Sequence, residues 1–405
     1  MRKLILSLAL VAIATVAFGQ KKVVRSAERN MSKGNLQEAY TEIQAALQDP
    51  ETSTESESYL LKGKIETKMF AADSSNTQET VELGRTALST FQKTMEMENN
   101  DSSSKVGKEV YKEVVDGVPE NLQGEGVLQL KNASFVKALD RYEEEDMETA
   151  FGFFSLAADI DPADTSLVFN AGYTANASGN FDAAKKYFHI LLDNEEYNKL
   201  NAYYFLIQIA SAEDKDQEEA YRLVNEAREM YPTDKGLAEF EIQLLLQLDK
   251  MDEAMASIKQ ALETDPKNTA ILLRYGYLKE QSGDLEGALQ EYKKTVEIDP
   301  EFFEGNYYAG AVYLDNAREI INEVNNLDDK EWEAKSETML KEADALYEQA
   351  IPYFTKASEL QPENTEIMQI LFQVHTRLKN DAKAQEYDKK LQELLGPDWM
   401  EKDIQ

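Results

Sequence analysis

Apolar residues recur along this chain as pairs of short helical stretches separated by a polar turn. The clearest pair lies in residues 268–300, NTAILLRYGYLKEQSGDLEGALQEYKKTVEIDP. In its first half Leu272 and Gly276 lie at helical spacing, and in its second half Ala288 and Tyr292 do the same. The Ser-Gly-Asp sequence between the halves stops the first helix and provides an N-cap for the second. This stretch therefore predicts two antiparallel helices joined by a tight turn.

The same alternation of small and large residues recurs along the chain. An alanine near the start of each second helix recurs at a regular period of 34 residues, or 36 in one case, from Ala150 to Ala288 and again from Ala350 to Ala384. The full set is Ala39, Ala87, Ala150, Ala184, Ala220, Ala254, Ala288, Ala350 and Ala384. Four residues later stands a large apolar residue, at Ile43, Phe91, Phe154, Phe188, Val224, Ile258, Tyr292 and Phe354. A proline closes several units, at Pro162, Pro232, Pro266, Pro300 and Pro362. Small residues let two helices approach closely, the large residue fills the gap to the next hairpin, and proline cannot continue the helix.

The combination of a helix-A glycine, a Gly-Asp or Gly-Asn turn, a helix-B alanine, an aromatic residue four positions later and a closing Asp-Pro resembles the tetratricopeptide repeat (TPR) family. The resemblance implies an all-α fold, a TPR-type α-solenoid in which antiparallel helix pairs form a superhelix. We expect eight or nine hairpins, because one hairpin cannot bury its own apolar face and neighbours must stack. The repeat favours one elongated array over two or three globular domains.

Longer intervals interrupt the repeat in its N-terminal part. The interval from Ala39 to Ala87 exceeds the regular period by nearly half, and a polar loop over residues 72–80 accounts for the excess. The interval from Ala87 to Ala150 is nearly twice the regular period. Within it, valines that recur every four residues from 106 to 118 predict an additional helix that ends at a proline.

A third long interval separates Ala288 from Ala350 and is also nearly twice the regular period. Divided equally, the excess adds about fourteen residues to each helix, which is nearly four turns, so the lengthened helices keep their contact faces in phase. We therefore expect one extended αα-hairpin insertion. Its tip, at residues 325–330 beside Trp332, should project roughly 20 Å beyond the neighbouring hairpins.

The expected organisation of the chain has six parts. They are a signal peptide at 1–19, N-terminal TPR-like hairpins at 20–100, a degenerate helical insertion at 101–132, a regular TPR array at 133–301, a TPR with the long-hairpin insertion at 302–362, and a C-terminal capping hairpin with a tail at 363–405. A separate subdomain is the alternative interpretation of residues 101–146. In the last hairpin Asp388 stands where an aromatic residue is expected, and a polar second helix suits a capping repeat.

The first residues have the pattern of a secretory signal peptide. Arg2 and Lys3 precede an apolar run over residues 4–16, and Ala-Phe-Gly at 17–19 provides small residues for cleavage. The run is shorter than the ~20 residues that span a bilayer. The chain contains no cysteine, which excludes disulfides and a lipid-attachment cysteine. We expect an exported protein, periplasmic or extracellular, with no lipid anchor and no direct membrane insertion after signal cleavage.

The chain carries a formal net charge of −33, from 76 acidic and 43 basic residues. Phosphate binding needs a clustered basic surface, and no run of Lys or Arg provides one. We therefore do not expect nucleic acid or an anionic membrane as a partner. A solvated helical surface accounts for the acidity, and a specific cation-binding use is the alternative.

The sequence contains no recognisable catalytic motif. It lacks a phosphate-binding Gly-rich loop, a G-x-S-x-G elbow and an H-E-x-x-H motif. The two histidines, His189 and His375, lie in separate repeats, and the acidic stretch at 214–218 lacks the turn glycine of a calcium loop. We expect no enzymatic activity, no cofactor and no metal site.

The resemblance also implies where a partner would bind. In the TPR family, helix-A residues on the concave face contact extended peptides or partner helices. The corresponding residues of this sequence are Phe135, Leu139, Tyr142, Phe169, Tyr173, Asn176, Phe205, Tyr277 and Tyr307. A family subclass grips acidic C-termini with Lys and Asn, and Phe169 and Tyr173 stand at those positions here, so this clamp is not expected.

Two functions remain open at this point. The first is a non-enzymatic protein–protein interaction scaffold of the periplasm or cell envelope, whose concave groove binds a peptide or a helix of a protein partner. The second is a carbohydrate- or polymer-binding module, because aromatic side chains stack on sugar faces as readily as on peptides. For each aromatic residue, padding of the space between helices is the alternative to a binding role.

Overall fold

The computed structural model describes residues 21–114 and 123–402, and every regular element in these residues is a helix. The all-α class predicted from the sequence is therefore confirmed. The predicted signal peptide, residues 1–19, lies outside the described residues. The chain divides into two compact units, Met1–Leu223 and Val224–Gln405.

The helices of the first unit are α1 (residues 21–32), α2 (Leu36–Ala46), α3 (Ser56–Ala72), α4 (Gln78–Met97), α5 (Lys105–Val110), α6 (Val127–Glu143), α7 (Met147–Ile160), α8 (Thr165–Ala177), α9 (Phe181–Asp193) and α10 (Leu200–Gln208). Helix α11 (Gln217–Met230) contains the boundary between the units. The second unit continues with α12 (Lys235–Gln247), α13 (Met251–Thr264), α14 (Thr269–Gln281), α15 (Leu285–Ile298), α16 (Phe303–Asn325), α17 (Asp329–Leu360), α18 (Thr365–Arg377), α19 (Asp381–Leu395) and α20 (Trp399–Lys402). Most consecutive helices of a unit pack against one another, and the hairpins include α3–α4, α6–α7, α8–α9, α12–α13, α14–α15, α16–α17 and α18–α19.

The hairpins are held together by contacts between a small residue of the first helix and a large residue of the second. An ideal Cβ atom built on the glycine would lie 2.5–3.0 Å from the nearest ring carbon in four pairs, Gly63–Phe91, Gly172–Phe188, Gly276–Tyr292 and Gly310–Phe354. All nine repeat alanines are buried. The pattern of small and large residues therefore identifies the internal contacts of the hairpins.

The turn inside most of the described hairpins places one residue in the left-handed region. Gly34, Gly179 and Gly283 provide it, with φ between 78° and 85°. In other hairpins the same position has φ between 56° and 61° and is occupied by Glu145, Lys215, Asp249 and Lys379. The next residue often caps the second helix, as where Asp284 Oδ1 accepts the N–H of Gly287 at 2.9 Å. The positions of these turns were predicted correctly, but some of the turns have a residue other than glycine in the left-handed region.

The first interruption lengthens the hairpin formed by α3 and α4, which have 17 and 20 residues. Lys137 of α6 fixes the loop between them. Only 7 % of this lysine is exposed, and its Nζ donates to the carbonyl oxygen of Asp73 and to Oδ1 of Asn76 at 2.7 Å. The loop is closed further by Thr80, whose hydroxyl donates to Asp73 Oδ2 at 2.8 Å. The additional residues are therefore an ordered extension that packs on the next hairpin.

The second interruption differs from its prediction. The valine stripe predicts a helix through residue 118, but α5 ends at Val110 and residues 111–114 are not helical. The chain returns beside the end of α5, where the N–H of Gly124 donates to the carbonyl oxygen of Glu113 at 3.0 Å. A Cβ atom on Gly126 would overlap the carbonyl oxygen of Val110, so the close backbone approach depends on glycine. The remainder of the stripe, at 115–118, lies outside the described residues.

The extended αα-hairpin is confirmed, but the additional residues are not divided equally, because α17 is lengthened more than α16. Helices α16 and α17 have 23 and 32 residues, whereas the other paired helices from α12 to α19 have 13 to 15. At ~1.5 Å per residue the two helices are about 35 Å and 48 Å long. Pro352 lies inside α17 without ending it.

The C-terminal hairpin obtains its missing aromatic residue from the segment that follows it. Trp399 of α20 is only 4 % exposed, and its ring packs edge-on against Phe372 of α18 at 5.2 Å. Its indole Nε1 donates to Asp388 Oδ1 at 2.9 Å. Asp388 is thus a hydrogen-bond acceptor for a core tryptophan, and the predicted tail contributes to the core of the cap.

Candidate interaction surface

Three apolar side chains of α6 lie on one helical face and remain accessible to solvent. Phe135, Leu139 and Tyr142 are spaced four and three residues apart, which places them in one stripe. They are 36 %, 38 % and 39 % exposed. The ring of Phe135 packs against buried Phe154 of α7 at 6.1 Å, which fixes its inner edge while its outer face meets solvent.

Helix α8 continues this surface. The ring of Tyr173 lies 6.2 Å from that of Tyr142 and 6.4 Å from that of Phe169. Hydrogen bonding to the neighbouring Tyr142 raises the pKa of Tyr173 at the junction of α6 and α8. Asn176 lies one turn beyond Tyr173 on α8 and is half-buried.

The surface ends on α10, where Phe205 packs against three rings. It stacks on Phe188 of α9 with centroids 4.8 Å apart and planes nearly parallel, and it lies 5.9 Å from Tyr173 and 6.1 Å from Phe169. Phe188 is fully buried, whereas Phe169 and Phe205 are half-buried. These two rings therefore cover the core with one side and face solvent with the other, which combines the padding and lining roles.

We call this set of side chains the aromatic surface. It consists of Phe135, Leu139, Tyr142, Phe169, Tyr173, Asn176 and Phe205. None of them carries a formal charge, in a chain whose net charge is −33. The first unit thus brings six of the eight predicted binding residues together, with Leu139 between them.

The other two predicted residues lie in the second unit and differ in environment. Tyr277 of α14 is 44 % exposed. Tyr307 of α16 is half-buried, with its ring 6.0 Å from Phe354, and its hydroxyl donates to Glu366 Oε1 at 3.2 Å. Burial, followed by the charge of Glu366, raises the pKa of Tyr307. Tyr307 therefore packs inside its own hairpin and reaches α18 through Glu366, whereas Tyr277 is the accessible residue of the two.

Val136 and Trp332 are the most exposed of the large apolar side chains that the structure describes and that were not predicted as binding residues. Val136 of α6 is 57 % exposed and lies outside the stripe that begins at Phe135, so helical spacing gave no reason to select it. Trp332 is 53 % exposed in the first turn of α17. Its position near the tip of the long hairpin was predicted, but its exposure depends on the packing of that tip.

The described residues offer little for metal or acid–base chemistry. No group of three or more His, Asp or Glu side chains in residues 21–114 and 123–402 is placed to hold a metal ion. His189 is exposed on α9, and His375 is buried in α18 with its ring stacked on Tyr387 at 5.8 Å. None of the helices in this part of the chain is both long and apolar enough to cross a bilayer.

Known proteins share the repeat of this chain. Residues 245–312, which include α14 and α15, match the family model for the tetratricopeptide repeat. The TPR repeat-containing protein YpiA of Bacillus subtilis is 25 % identical over 205 residues, which cover 48 % of this chain. The chain spans 45 % of the length of that curated relative.

Solved structures overlap with the chain only in part. YrrB, described as a TPR protein with an unusual peptide-binding site, is 19 % identical with a TM-score of 0.36, and the match covers 43 % of this chain and 88 % of YrrB. A tetratricopeptide repeat protein of Parabacteroides merdae is 16 % identical with a TM-score of 0.30, over 72 % of this chain and 98 % of that one. The family model matches within the stretch where small and large residues alternate most regularly, and the described hairpins have the helix contacts that this alternation predicts. The chain is therefore similar to tetratricopeptide repeat proteins, and its residues 245–312 match the model of that repeat.

Proposed function

We propose that this protein is a non-enzymatic interaction scaffold whose first unit binds a peptide or a helix of a protein partner on the aromatic surface. The exposure of Phe135, Leu139 and Tyr142 on one face of α6 carries the proposal. Neighbouring rings hold Phe135 and Tyr142 in place, so little conformational entropy is lost when a partner covers them. Aromatic anchors of this kind dominate the binding energy of many protein interfaces.

The lack of charge on the aromatic surface favours apolar side chains of a partner over a strongly charged ligand. Apart from the hydroxyls of Tyr142 and Tyr173 and the amide of Asn176, the aromatic surface has no polar side chain, so it offers few of the hydrogen bonds that sugars require. A peptide or helix with apolar side chains at helical or alternating spacing therefore fits better than a glycan.

Partner capture from the native envelope would test this function. It compares the wild-type protein with two variants, Leu139→Glu and Tyr142→Ala. Both positions are more than a third exposed, so the variants should retain the melting temperature. Capture should fall at least about tenfold, because a buried charge or a lost anchor costs roughly 2 kcal/mol in a desolvated interface. Met251→Glu, at a position of similar exposure in the second unit, is the matched control and should capture normally.

Mass spectrometry and glycan analysis of the captured material separate the two partner classes. Bound protein that is lost with Leu139→Glu supports the proposal. Bound glycan that is lost with the same variant would identify the partner as a carbohydrate and not a protein. Equal capture by all variants removes the aromatic surface as the binding site.

Export is part of this proposal and rests on the sequence of residues 1–19. The native protein should begin at or near Gln20, and the full chain should be absent from the mature pool. Mass measurement of the protein purified from its own cells tests this. An intact Met1 in the cytoplasmic fraction would place the scaffold inside the cell.

A further inference from the structure

The long hairpin of the second unit contains a part that the repeat itself does not explain. We define the distal arm as residues 315–344, which comprise the end of α16, the tip and the first half of α17. The paired helices on either side of this hairpin have 13 to 15 residues, so they are too short to pack along the full length of α16 and α17. The distal arm must therefore be stabilised largely by contacts between its own two helices.

Those two helices bury small residues at the centre of their contact. Ala317, Val324, Ser336 and Ala343 are buried. Larger apolar side chains lie beside them and are only partly buried, at Ile320, Ile321, Leu327, Met339 and Leu340. Two helices cannot enclose side chains on both flanks of their contact, because a third helix is needed to cover each flank. The distal arm therefore retains accessible apolar surface along its length.

Trp332 extends this apolar stripe towards the tip. It precedes Ser336 by four residues and Ala343 by eleven, so it lies on the same helical face. Side chains lean towards the N-terminus of their helix. Because α17 begins at Asp329, beside the turn, we expect the indole to lean towards the tip of the hairpin. This position agrees with its 53 % exposure, the highest among the large apolar side chains of the second unit that the structure describes.

The surface around the stripe is strongly acidic. The distal arm contains ten carboxylates and four cationic side chains. Three of the cations are paired with acids of their own helix: Arg318 with Asp315 at 3.5 Å, Lys335 with Glu331 at 2.9 Å and Lys341 with Glu337 at 2.7 Å. Acidic side chains also flank the tryptophan directly, since Asp329, Glu331 and Glu333 are all exposed.

We propose that the distal arm is a docking surface for a basic amphipathic helix of a protein partner. The partner helix packs its apolar face as a third helix against the stripe and places a Lys or Arg side chain on the indole of Trp332, where ring and carboxylates both attract a cation. A second copy of this chain is a poor occupant, because two arms that each carry an excess of six acids repel one another. This site is separate from the aromatic surface, which lies in the other unit and is uncharged.

The chain provides its own reporter for this proposal. It contains two tryptophans, and Trp399 is 4 % exposed with its indole hydrogen-bonded to Asp388, so a change in fluorescence on binding reports Trp332. The probe is an 18-residue amphipathic helix of Lys and Leu, added to the full mature protein. The control peptide has the same composition with its apolar face scrambled. We expect a saturable shift of tryptophan emission to shorter wavelength with the amphipathic peptide only.

Two variants test the contributions of the ring and of the charges. In Trp332→Phe the wavelength shift should disappear, and the affinity measured by anisotropy of a labelled peptide should fall about tenfold. Asp329→Asn combined with Glu333→Gln should weaken binding several-fold at low salt and less at high salt. Glu229→Gln combined with Glu263→Gln, two exposed acids of the same unit, is the matched control and should bind as the wild type does.

Several outcomes would overturn the proposal. The first is an emission wavelength of Trp332 that does not shift at saturating peptide. The second is a peptide affinity of Trp332→Phe equal to that of the wild type. The third is binding of the scrambled peptide as tight as that of the amphipathic peptide. An emission shift that grows with protein concentration in the absence of peptide would identify a second copy as the occupant. Loss of peptide binding in Leu139→Glu with retention in Trp332→Phe would place the peptide on the aromatic surface and leave the distal arm without a role.

Discussion

A Cβ atom built on Gly276 would lie 2.5 Å from Cε1 of Tyr292, so a side chain at the first position and the observed ring at the second cannot coexist without movement. The ring has little freedom to move. Tyr292 is fully buried, its hydroxyl donates to Glu280 Oε2 at 2.8 Å, and it stacks on Tyr308 at 5.4 Å. The glycine and the aromatic residue of a hairpin therefore form one packing unit.

Gly276→Ala tests whether a side chain at this position stabilises or destabilises the hairpin. In a solvated helix alanine is favoured over glycine by up to ~1 kcal/mol. Here we expect a net loss of ~1–3 kcal/mol in the free energy of unfolding, because the new methyl group overpacks the hairpin. In a Tyr292→Leu background the same substitution should cost much less. A double-mutant cycle by urea denaturation measures the difference, and a coupling free energy near zero would contradict the relationship.

The hairpin turns offer a second prediction, on backbone conformation alone. Lys379 occupies the left-handed turn position with φ of 56°, and Gly283 occupies the equivalent position with φ of 85° and no atom within 4 Å of its Cβ position. An L-residue in this region costs ~1 kcal/mol relative to glycine. Lys379→Gly should therefore raise the thermal midpoint, and Gly283→Lys should lower it by a comparable free energy. Lys379→Ala is the control that removes the side chain without relieving the backbone, and a gain equal to that of Lys379→Gly would refute the explanation.

The repeat was predictable because its determinants are local. Gly276, Ala288 and Tyr292 lie close together in the sequence, and their contacts are made inside one hairpin. The path after α5 was not predictable in the same way, because the helix ends where Gly124 and Gly126 bring a returning segment against its last carbonyls. Trp399 likewise completes the core of a hairpin from outside the repeat period. Contacts between separate segments carry no periodic signal.

The candidate site was predictable in position but not in exposure. Helical spacing selected Phe135, Tyr142 and Tyr173, and the structure brings the rings of Tyr142 and Tyr173 to 6.2 Å from each other. Whether each ring pads the core or meets solvent depends on its neighbours, as where stacking on Phe188 half-buries Phe205. The exposure of a helix-A aromatic is thus set by the residue that packs beneath it, which belongs to another helix.

Lys137 gives a prediction about the extended hairpin of α3 and α4. Replacing it by methionine keeps an apolar stem but removes the ammonium group, which lies over the ring of Phe70 and donates to Asp73 and Asn76. Both acceptors would then be poorly satisfied in a buried site, so we expect a loss of ~1–3 kcal/mol. Hydrogen exchange should accelerate mainly in residues 73–80.

The control for this substitution is Lys93→Met, at an exposed position of α4 where the lysine pairs with Glu96 at 3.1 Å. Exposed pairs of this kind contribute at most ~1 kcal/mol, so stability should change little. If Lys137→Met and Lys93→Met have the same effect, the buried lysine does not fix the loop.

His375 gives a prediction about pH. The imidazole is 5 % exposed in α18, and burial, with a smaller contribution from Lys383, lowers its pKa, although Glu386 opposes the shift. The folded protein therefore holds this histidine neutral at pH values where the unfolded chain, with a pKa of about 6.5, binds a proton. The free energy of unfolding should fall as pH drops below about 6.5, and the decline should stop once pH is below the folded-state pKa.

His375→Phe removes this titration and keeps a ring to stack on Tyr387, so its stability relative to the wild type should increase between pH 8 and pH 5. Urea midpoints at several pH values measure the slope. Glu386 does not confuse the result, because hydrogen bonds from Lys383 and Lys390 hold its pKa at about 2, and its contribution is lost only as pH falls below about 4.5. His189→Gln, at the exposed histidine of α9, should keep the wild-type slope. An unchanged slope in His375→Phe would show that the buried imidazole is not the group whose protonation destabilises the fold.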